Sequence, residues 1–286
     1  MNLRQALDLA STQLAGRRPA VDRQQRASRD AELLLLHALK ISRATLLAHP
    51  DRQLSTEELA QYQQSIQRRK QNEPVQYITG QQQFFGLDLH VTGAVLVPRP
   101  ETEHLVEAVL LHMPSDRPVT IADVGTGSGA IALALAAQLP HAQLTALDSS
   151  PAALDIARIN AKTNHLEDRI RFLESDLLSA LPADASFDAI VSNPPYIPNA
   201  DRATLDPEVR DFEPATALFA GEDGLDVYRR LIPQAHAALR PSGLLAMEIG
   251  HGQRNAIAAL LADWHGVTFV NDLQGIPRVA LARRPS

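Results

Sequence analysis

From Pro118 to the C-terminus the sequence alternates short apolar runs with longer helical patterns, and this alternation leaves few folds open. Val119–Val124, Gln143–Leu147, Ile170–Glu174, Phe187–Ser192 and Leu244–Ile249 read as strands. Helical patterns lie between them: one ending at Leu139, one from Pro151 to about Asn164, one over Leu225–Leu239 and one over Gln253–Trp264. Such a succession predicts a mostly parallel sheet covered by helices on both faces. Thr268–Asn271 and Val279–Ala282 have only a short turn between them, so they predict an antiparallel addition at one end. The expected architecture is therefore α/β and Rossmann-like, with seven strands, most of them parallel.

The first quarter of the chain has a different character. Residues 1–72 read as helices alone. Ala6, Leu7, Leu9, Ala10 and Leu14 form one apolar face, and Ala31, Leu33 to Leu36, Ala38 and Leu39 form a second. Ser55 with Glu58 three residues later predicts a capping box at the start of a further helix. Between this bundle and the α/β region lies a segment with Tyr77-Ile78-Thr79-Gly80, Phe84-Phe85-Gly86 and Leu87 to Val91, which reads as a hairpin. The expected division is a helical domain over 1–73, a β-hairpin connector over 74–97 and the α/β domain over 98–286.

Charge separates the same parts. Residues 1–72 hold 12 Lys and Arg against 7 Asp and Glu, whereas the rest hold 15 against 26. A basic segment on an acidic body suggests that the N-terminal part meets an acidic partner, although a solvated helical surface has the same composition. The acidic body argues against extensive contact with duplex nucleic acid. There is no Cys, so disulfides, thiolate metal sites and a Cys nucleophile are excluded. The first residues lack the apolar stretch of a secretion signal, and the Leu33 to Leu36 run is far too short to span a bilayer, so a cytoplasmic location is expected. The histidines are scattered, and His251 has no partner at ligand spacing, so no metal site is expected.

Open sheets of this kind bind ligands at the carboxyl ends of their strands. After the first strand comes Asp123-Val124-Gly125-Thr126-Gly127-Ser128-Gly129-Ala130. Its alternate glycines let the backbone turn tightly and a ligand approach closely. No Gly-Lys-Ser/Thr follows, so it is not a phosphate-binding P-loop, and the G-x-G-x-G spacing differs from the dinucleotide fingerprint. Asp148 ends the second strand, where an acid accepts from ribose hydroxyls; it can also cap the next helix. Asp176, after the third strand, is a candidate acceptor for an adenine amino group, or a turn residue.

Asn193-Pro194-Pro195-Tyr196 follows the fourth strand. Two prolines fix φ and remove two backbone N–H groups, so neither strand nor helix continues. What remains is a rigid, uncharged set of oxygens: the Asn193 side chain and the carbonyls beside it. Such a set holds a planar –NH2 group by its two hydrogens and aims the nitrogen one way. Tyr196 reads as a packing residue for that group, or as an ordinary core tyrosine. Arg99, Glu101 and Glu103 read equally as residues at the mouth of a site or as a helix start. Glu248, ahead of Gly250-His251-Gly252, reads as a site residue at a strand end or, more readily, as part of a turn.

Together these residues resemble a class I S-adenosylmethionine-dependent methyltransferase of the amino-methylating group, and more closely the HemK/PrmC family of release-factor glutamine N5-methyltransferases. The resemblance spans nearly the whole chain. Its discriminating pieces are Pro74-Val75-Gln76-Tyr77-Ile78-Thr79-Gly80 and Val97-Pro98-Arg99-Pro100-Glu101-Thr102-Glu103. It also includes Arg210 to Pro214 with Ala217-Leu218, and Met247 to Gly252. The resemblance implies that S-adenosyl-L-methionine binds at Gly125, Thr126, Gly127, Ser128, Gly129, Asp148, Asp176, Leu177 and Asn193. It implies a glutamine substrate against Asn193, Pro194, Pro195 and Tyr196, with Asn193, Pro194 and Tyr196 catalytic, and a release factor recognised through the helical domain. Some members carry an aromatic residue where this chain has Leu177, which predicts an aliphatic contact with adenine. Asn-Pro-Pro-Tyr alone is shared with adenine-N6 methyltransferases, so methylation of an exocyclic amine in nucleic acid is the rival reading. A nucleotide sensor without chemistry would leave Asn193 to Tyr196 unexplained.

Overall fold

The computed structural model describes residues 1–16 and 21–286, with side chains described up to Gly16 and from Gln24 onward. It divides into two compact units, Met1–Gly80 with Asp206–Phe212, and Gln81–Leu205 with Glu213–Ser286. Of the basic residues in the first unit, Arg17 and Arg18 lie outside the described residues, as does the side chain of Arg23.

The first unit contains α1 (Leu3–Ala15), α2 (Val21–Leu39), α3 (Arg43–Ala48), α4 (Thr56–Lys70) and α5 (Val75–Thr79). Reciprocal capping boxes start two of them, Asn2 with Gln5 on α1 and the expected Ser55 with Glu58 on α4. Leu3, Ala6, Leu34, Leu35, Tyr62 and Ile66 are buried together, and the Tyr62 hydroxyl donates to the Ala31 carbonyl at 3.0 Å. Leu9 and Leu33, expected on the apolar faces, are instead 45% and 41% exposed. Each residue advances a helix by about 100°, so a run of four leucines cannot all face one core. Tyr77-Ile78-Thr79 is helix, not hairpin. Pro74 needs no N–H at a helix start, Val75 and Ile78 bury into the bundle, and Gly80 ends α5 in the left-handed region at φ 72.

The second unit contains β1 (Gln81–Phe84), β2 (Leu87–His90), α6 (Glu103–Leu110), β3 (Val119–Val124), α7 (Ala130–Gln138), β4 (Ala142–Asp148), α8 (Pro151–Thr163), β5 (Ile170–Glu174) and β6 (Phe187–Ser192). Next comes α9 (Pro207–Phe212), which belongs to the first unit, where Glu208 pairs with Arg26 and Arg69, and Arg69 also with Asp30 at 2.7 Å. The second unit resumes with α10 (Asp226–Ala238), β7 (Leu239–Glu248), α11 (Arg254–Leu260), β8 (His265–Asn271) and β9 (Pro277–Arg283).

β1 and β2 form a separate antiparallel hairpin. The other strands form one seven-stranded sheet in the order β5-β4-β3-β6-β7-β9-β8. β3, β4, β5, β6 and β7 pair in parallel, and β9 is antiparallel to both neighbours. Alternation along the strands feeds two cores. Ile121, Ala189, Val191, Leu244 and Ala246 face one layer with α6 and α7, while Ala122, Val124, Ile190, Leu245 and Met247 face the other with α10 and α11. In α7, Ala130 to Ala136 are all buried, which fixes the helix that follows the glycine loop. No helix among the described residues is long and apolar enough to cross a membrane.

Candidate active site

Four strands end together. Val124 pairs with Leu147 and with Ser192, and Ser192 pairs with Met247. One residue further on stand Gly125, Asp148, Asn193 and Glu248, so these four form a row at the carboxyl edge. Between β3 and β6 the chain order reverses, the switch point at which such sheets open a crevice. A cavity of about 300 Å³ lies there.

Gly125, Thr126, Gly127 and Ser128 line the cavity. The Gly125 and Thr126 N–H groups donate to the Leu147 carbonyl at 2.8 and 2.9 Å, which folds the loop back onto β4. Gly125, Gly127 and Gly129 have φ of 73°, 56° and 83°, a region that strains any side-chain-bearing residue. Gly129 lies outside the lining; it precedes α7, and a Cβ there would come within 3.2 Å of Ala157 on α8. Asn160, fully buried on α8, is a residue that the sequence reading misses. Its amide donates to the carbonyls of Ser128 and His90, both at 2.9 Å, and so ties the loop to the hairpin. The one signal for it in the sequence is an Asn within an apolar helical face.

Asp148 lines the cavity and does not cap α8, whose cap is Ser150. Its Oδ2 accepts from Gly127 N–H at 2.8 Å and its Oδ1 from Ser150 N–H at 2.9 Å. Burial raises its pKa, while these backbone donors act the other way. A carboxylate accepts up to about four hydrogen bonds, so capacity for ligand hydroxyls remains. Asp176 and Leu177 line the cavity as well; Asp176 is paired with Arg230 of α10, another lining residue. Leu177 stands at φ 53, and the next N–H, of Leu178, is held by Gln234 Oε1 at 3.0 Å.

Under the loop, Asp123 is fully buried. Its Oδ2 accepts from Thr126 Oγ1 at 2.6 Å and from Ala132 N–H at 3.1 Å, while Oδ1 has no partner. Burial pushes its carboxyl up to about 7.

Asn193 and Pro195 line the cavity; Pro194 is buried and Tyr196 half-buried behind it. The Tyr196 carbonyl accepts from Gln253 Nε2 at 3.0 Å, and the Gln253 Oε1 accepts from Gly250 N–H at 2.9 Å. Gly224 backs onto the same carbonyl, and a Cβ at that position would overlap it.

Glu248 is not part of a turn. It ends β7, is buried, and accepts from Thr102 Oγ1 at 2.6 Å and from the Tyr196 hydroxyl at 3.3 Å. Burial raises its pKa, opposed by the hydrogen bonds from Thr102 and Tyr196 and by Arg278. Thr102 Oγ1 in turn accepts from Asn193 Nδ2 at 3.1 Å. Register makes Glu248 a neighbour of Asn193, and register is not visible in one strand's sequence. The residues around Thr102 separate: Arg99 lines the cavity and pairs with buried Glu213 at 2.5 Å, Glu103 accepts from Phe85 N–H at 2.8 Å, and Glu101 is exposed. Among the described residues no group of acids and histidines is arranged to hold a metal ion.

Known proteins resemble this chain in sequence and in fold. Residues 5–80 match the PrmC N-terminal domain and residues 103–206 the methyltransferase small domain. Among solved structures, the Thermus thermophilus 16S rRNA N2 G1207 methyltransferase, bound to AdoMet and guanosine, aligns with a TM-score of 0.54 at 22% identity over 71% of this chain and 49% of that one. The human Mettl16 catalytic domain, bound to an RNA hairpin, aligns at 0.55 with 20% identity over 69% and 76%. These two likenesses establish the class I methyltransferase fold. The release factor glutamine methyltransferase of Koribacter versatilis is 47% identical over 90% of this chain and 91% of its own length. That of Moorella thermoacetica is 45% identical over 99% of both. With such identity along almost its whole length, this chain belongs to the release factor glutamine methyltransferase family.

Proposed function

We propose that this chain transfers a methyl group from S-adenosyl-L-methionine to the side-chain amide nitrogen (N5) of the glutamine in the Gly-Gly-Gln loop of peptide chain release factors. One observation carries the reading: the pairing of Val124 with Ser192 sets the glycine loop and Asn193 side by side on one cavity. The residues suit the donor. The loop has open space at Gly125 and Gly127, where a Cβ would meet nothing within 4 Å, so a ligand can lie against backbone. Asp148 offers acceptor capacity to ribose hydroxyls, and Leu177 an apolar face to adenine. When bound, S-adenosylmethionine supplies a methyl group on a positively charged sulfur.

A primary amide nitrogen is a poor nucleophile because its lone pair is delocalised. The motif begins with Asn rather than Asp, so this chain acts by positioning and not by a strong base. Asn193 Oδ1 and the Pro194 carbonyl accept the two amide hydrogens and turn the nitrogen toward the donor. Good alignment of this kind contributes up to ~7–11 kcal/mol to barrier reduction. The same oxygens stabilise positive charge growing on nitrogen until a proton leaves. Tyr196 packs behind the amide and excludes water.

The helical unit is the reading's partner-recognition surface, supported by the basic balance of residues 1–72. The absence of a nucleic-acid partner completes it, supported by the acidic balance of the remaining residues. The test offers a labelled methyl donor with purified release factor, with oligonucleotides or with neither. Label should enter only the release factor, and N193A should lose most of kcat while still binding donor. Label on oligonucleotide alone overturns the reading, and a normal rate for N193A overturns positioning by Asn193.

A further inference from the structure

Positioning of a substrate amide by acceptor oxygens requires the oxygen end of the Asn193 amide to face that substrate. An amide turned the other way presents N–H donors to another –NH2 group. The immediate surroundings of Asn193 contain the means to decide between these two orientations.

A threonine hydroxyl has one hydrogen and two lone pairs. The Thr102 hydroxyl stands 2.6 Å from Glu248 Oε2, and a carboxylate only accepts, so the one hydrogen is directed there. What Thr102 offers Asn193 at 3.1 Å is then a lone pair, and only the NH2 end of the amide satisfies it. Asn193 Oδ1 is left as the end toward the cavity that the residue lines. The relay is held from several sides. Thr102 and Glu248 are 4% and 3% exposed, so water does not compete for either. The Tyr196 hydroxyl donates to the other carboxylate oxygen at 3.3 Å, and the Tyr228 hydroxyl fixes the Glu248 backbone carbonyl at 2.8 Å.

We propose that Thr102 and Glu248 are positioning residues that set which end of the Asn193 amide meets the substrate nitrogen. This rests on the reading of Asn193 as the acceptor of the substrate amide. Neither residue touches the reacting atoms; both act through Asn193.

The test measures kcat, KM for whole release factor, donor affinity by calorimetry and Tm for full-length T102V, T102S, N193A and T102V/N193A. T102V should lower kcat by about 10- to 100-fold, as expected for loss of a preorganised polar contact, with donor affinity within about twofold. T102S keeps the hydroxyl and should restore most of the rate. In the N193A background T102V should add nothing, because its effect passes through the missing amide. E248L, which removes the acceptor and leaves the Thr102 hydrogen free to turn to Asn193 Oδ1, should show the same fall in kcat and supplies the readout if T102V does not fold. A normal kcat for T102V beside an impaired N193A, or independent multiplication of the two effects, overturns the proposal and leaves the role of Asn193 intact. A normal kcat for N193A overturns that role first, and the relay with it.

Discussion

Asp148 Oδ2 accepts a hydrogen bond from the Gly127 backbone N–H at 2.8 Å, so the acid that ends β4 also holds the loop that follows β3. The residue expected to meet ribose therefore shapes the backbone that receives the rest of the donor. D148A should weaken S-adenosylmethionine binding by roughly 10- to 100-fold, the scale of one or two charge-assisted hydrogen bonds. Calorimetry measures this directly, and an unchanged affinity removes Asp148 from the site.

Asp123 gives the fold a pH dependence of opposite sign to that of a salt-bridged acid. Burial raises its carboxyl from 3.8 in an open chain to about 7 in the folded one. The neutral form is the one that the fold favours. Its contribution is complete below the unfolded value and is lost as pH rises through the folded one. Stability should therefore fall between about pH 4 and pH 7, by an amount on the order of a few kcal/mol. D123N keeps the shape and an oxygen for Thr126 and Ala132 but does not titrate. Its Tm is expected to be lower at acid pH, because two buried amide N–H groups replace the single O–H of the neutral acid. Across this window the difference in Tm between wild type and D123N should shrink as the wild type loses stability. Parallel curves for the two proteins would exclude Asp123 as the source.

The layout of the site is legible in the sequence because each part announces itself locally. The glycines after β3, the acid after β4 and the two prolines after β6 each interrupt a periodic pattern at a strand end. Thr102, Asn160 and Gln253 carry no such mark. Their importance comes from pairings 91, 32 and 57 residues distant, with Asn193, Ser128 and Tyr196. Glu248 is half marked: its place at the end of an apolar run suggests a site residue and the glycines after it a turn, and only the β6–β7 register reveals its neighbour. The helix at Val75–Thr79 is masked by β-favouring Tyr77, Ile78 and Thr79, whose local preference yields to burial of Val75 and Ile78 in the bundle.

Gly224 tests whether the backbone of Asn193 to Tyr196 must be held rigidly. It lies at φ 75, and an added Cβ would overlap the Tyr196 carbonyl and approach Gln253 Nε2 at 2.9 Å. G224A must therefore displace the peptide after Tyr196 and break its hydrogen bond from Gln253, on top of the ~1–2 kcal/mol that a left-handed residue costs. Gly275 is the control: it lies at φ 80 on the β8–β9 turn, where an added Cβ would meet nothing within 4 Å, so G275A carries the strain without the overlap. Both variants should lose some Tm. Only G224A should lose kcat, by about tenfold or more if alignment of the nucleophile is what the motif provides, with donor affinity held. Equal kcat in G224A and wild type would mean that the motif tolerates movement, and that positioning by these oxygens is not the source of the rate.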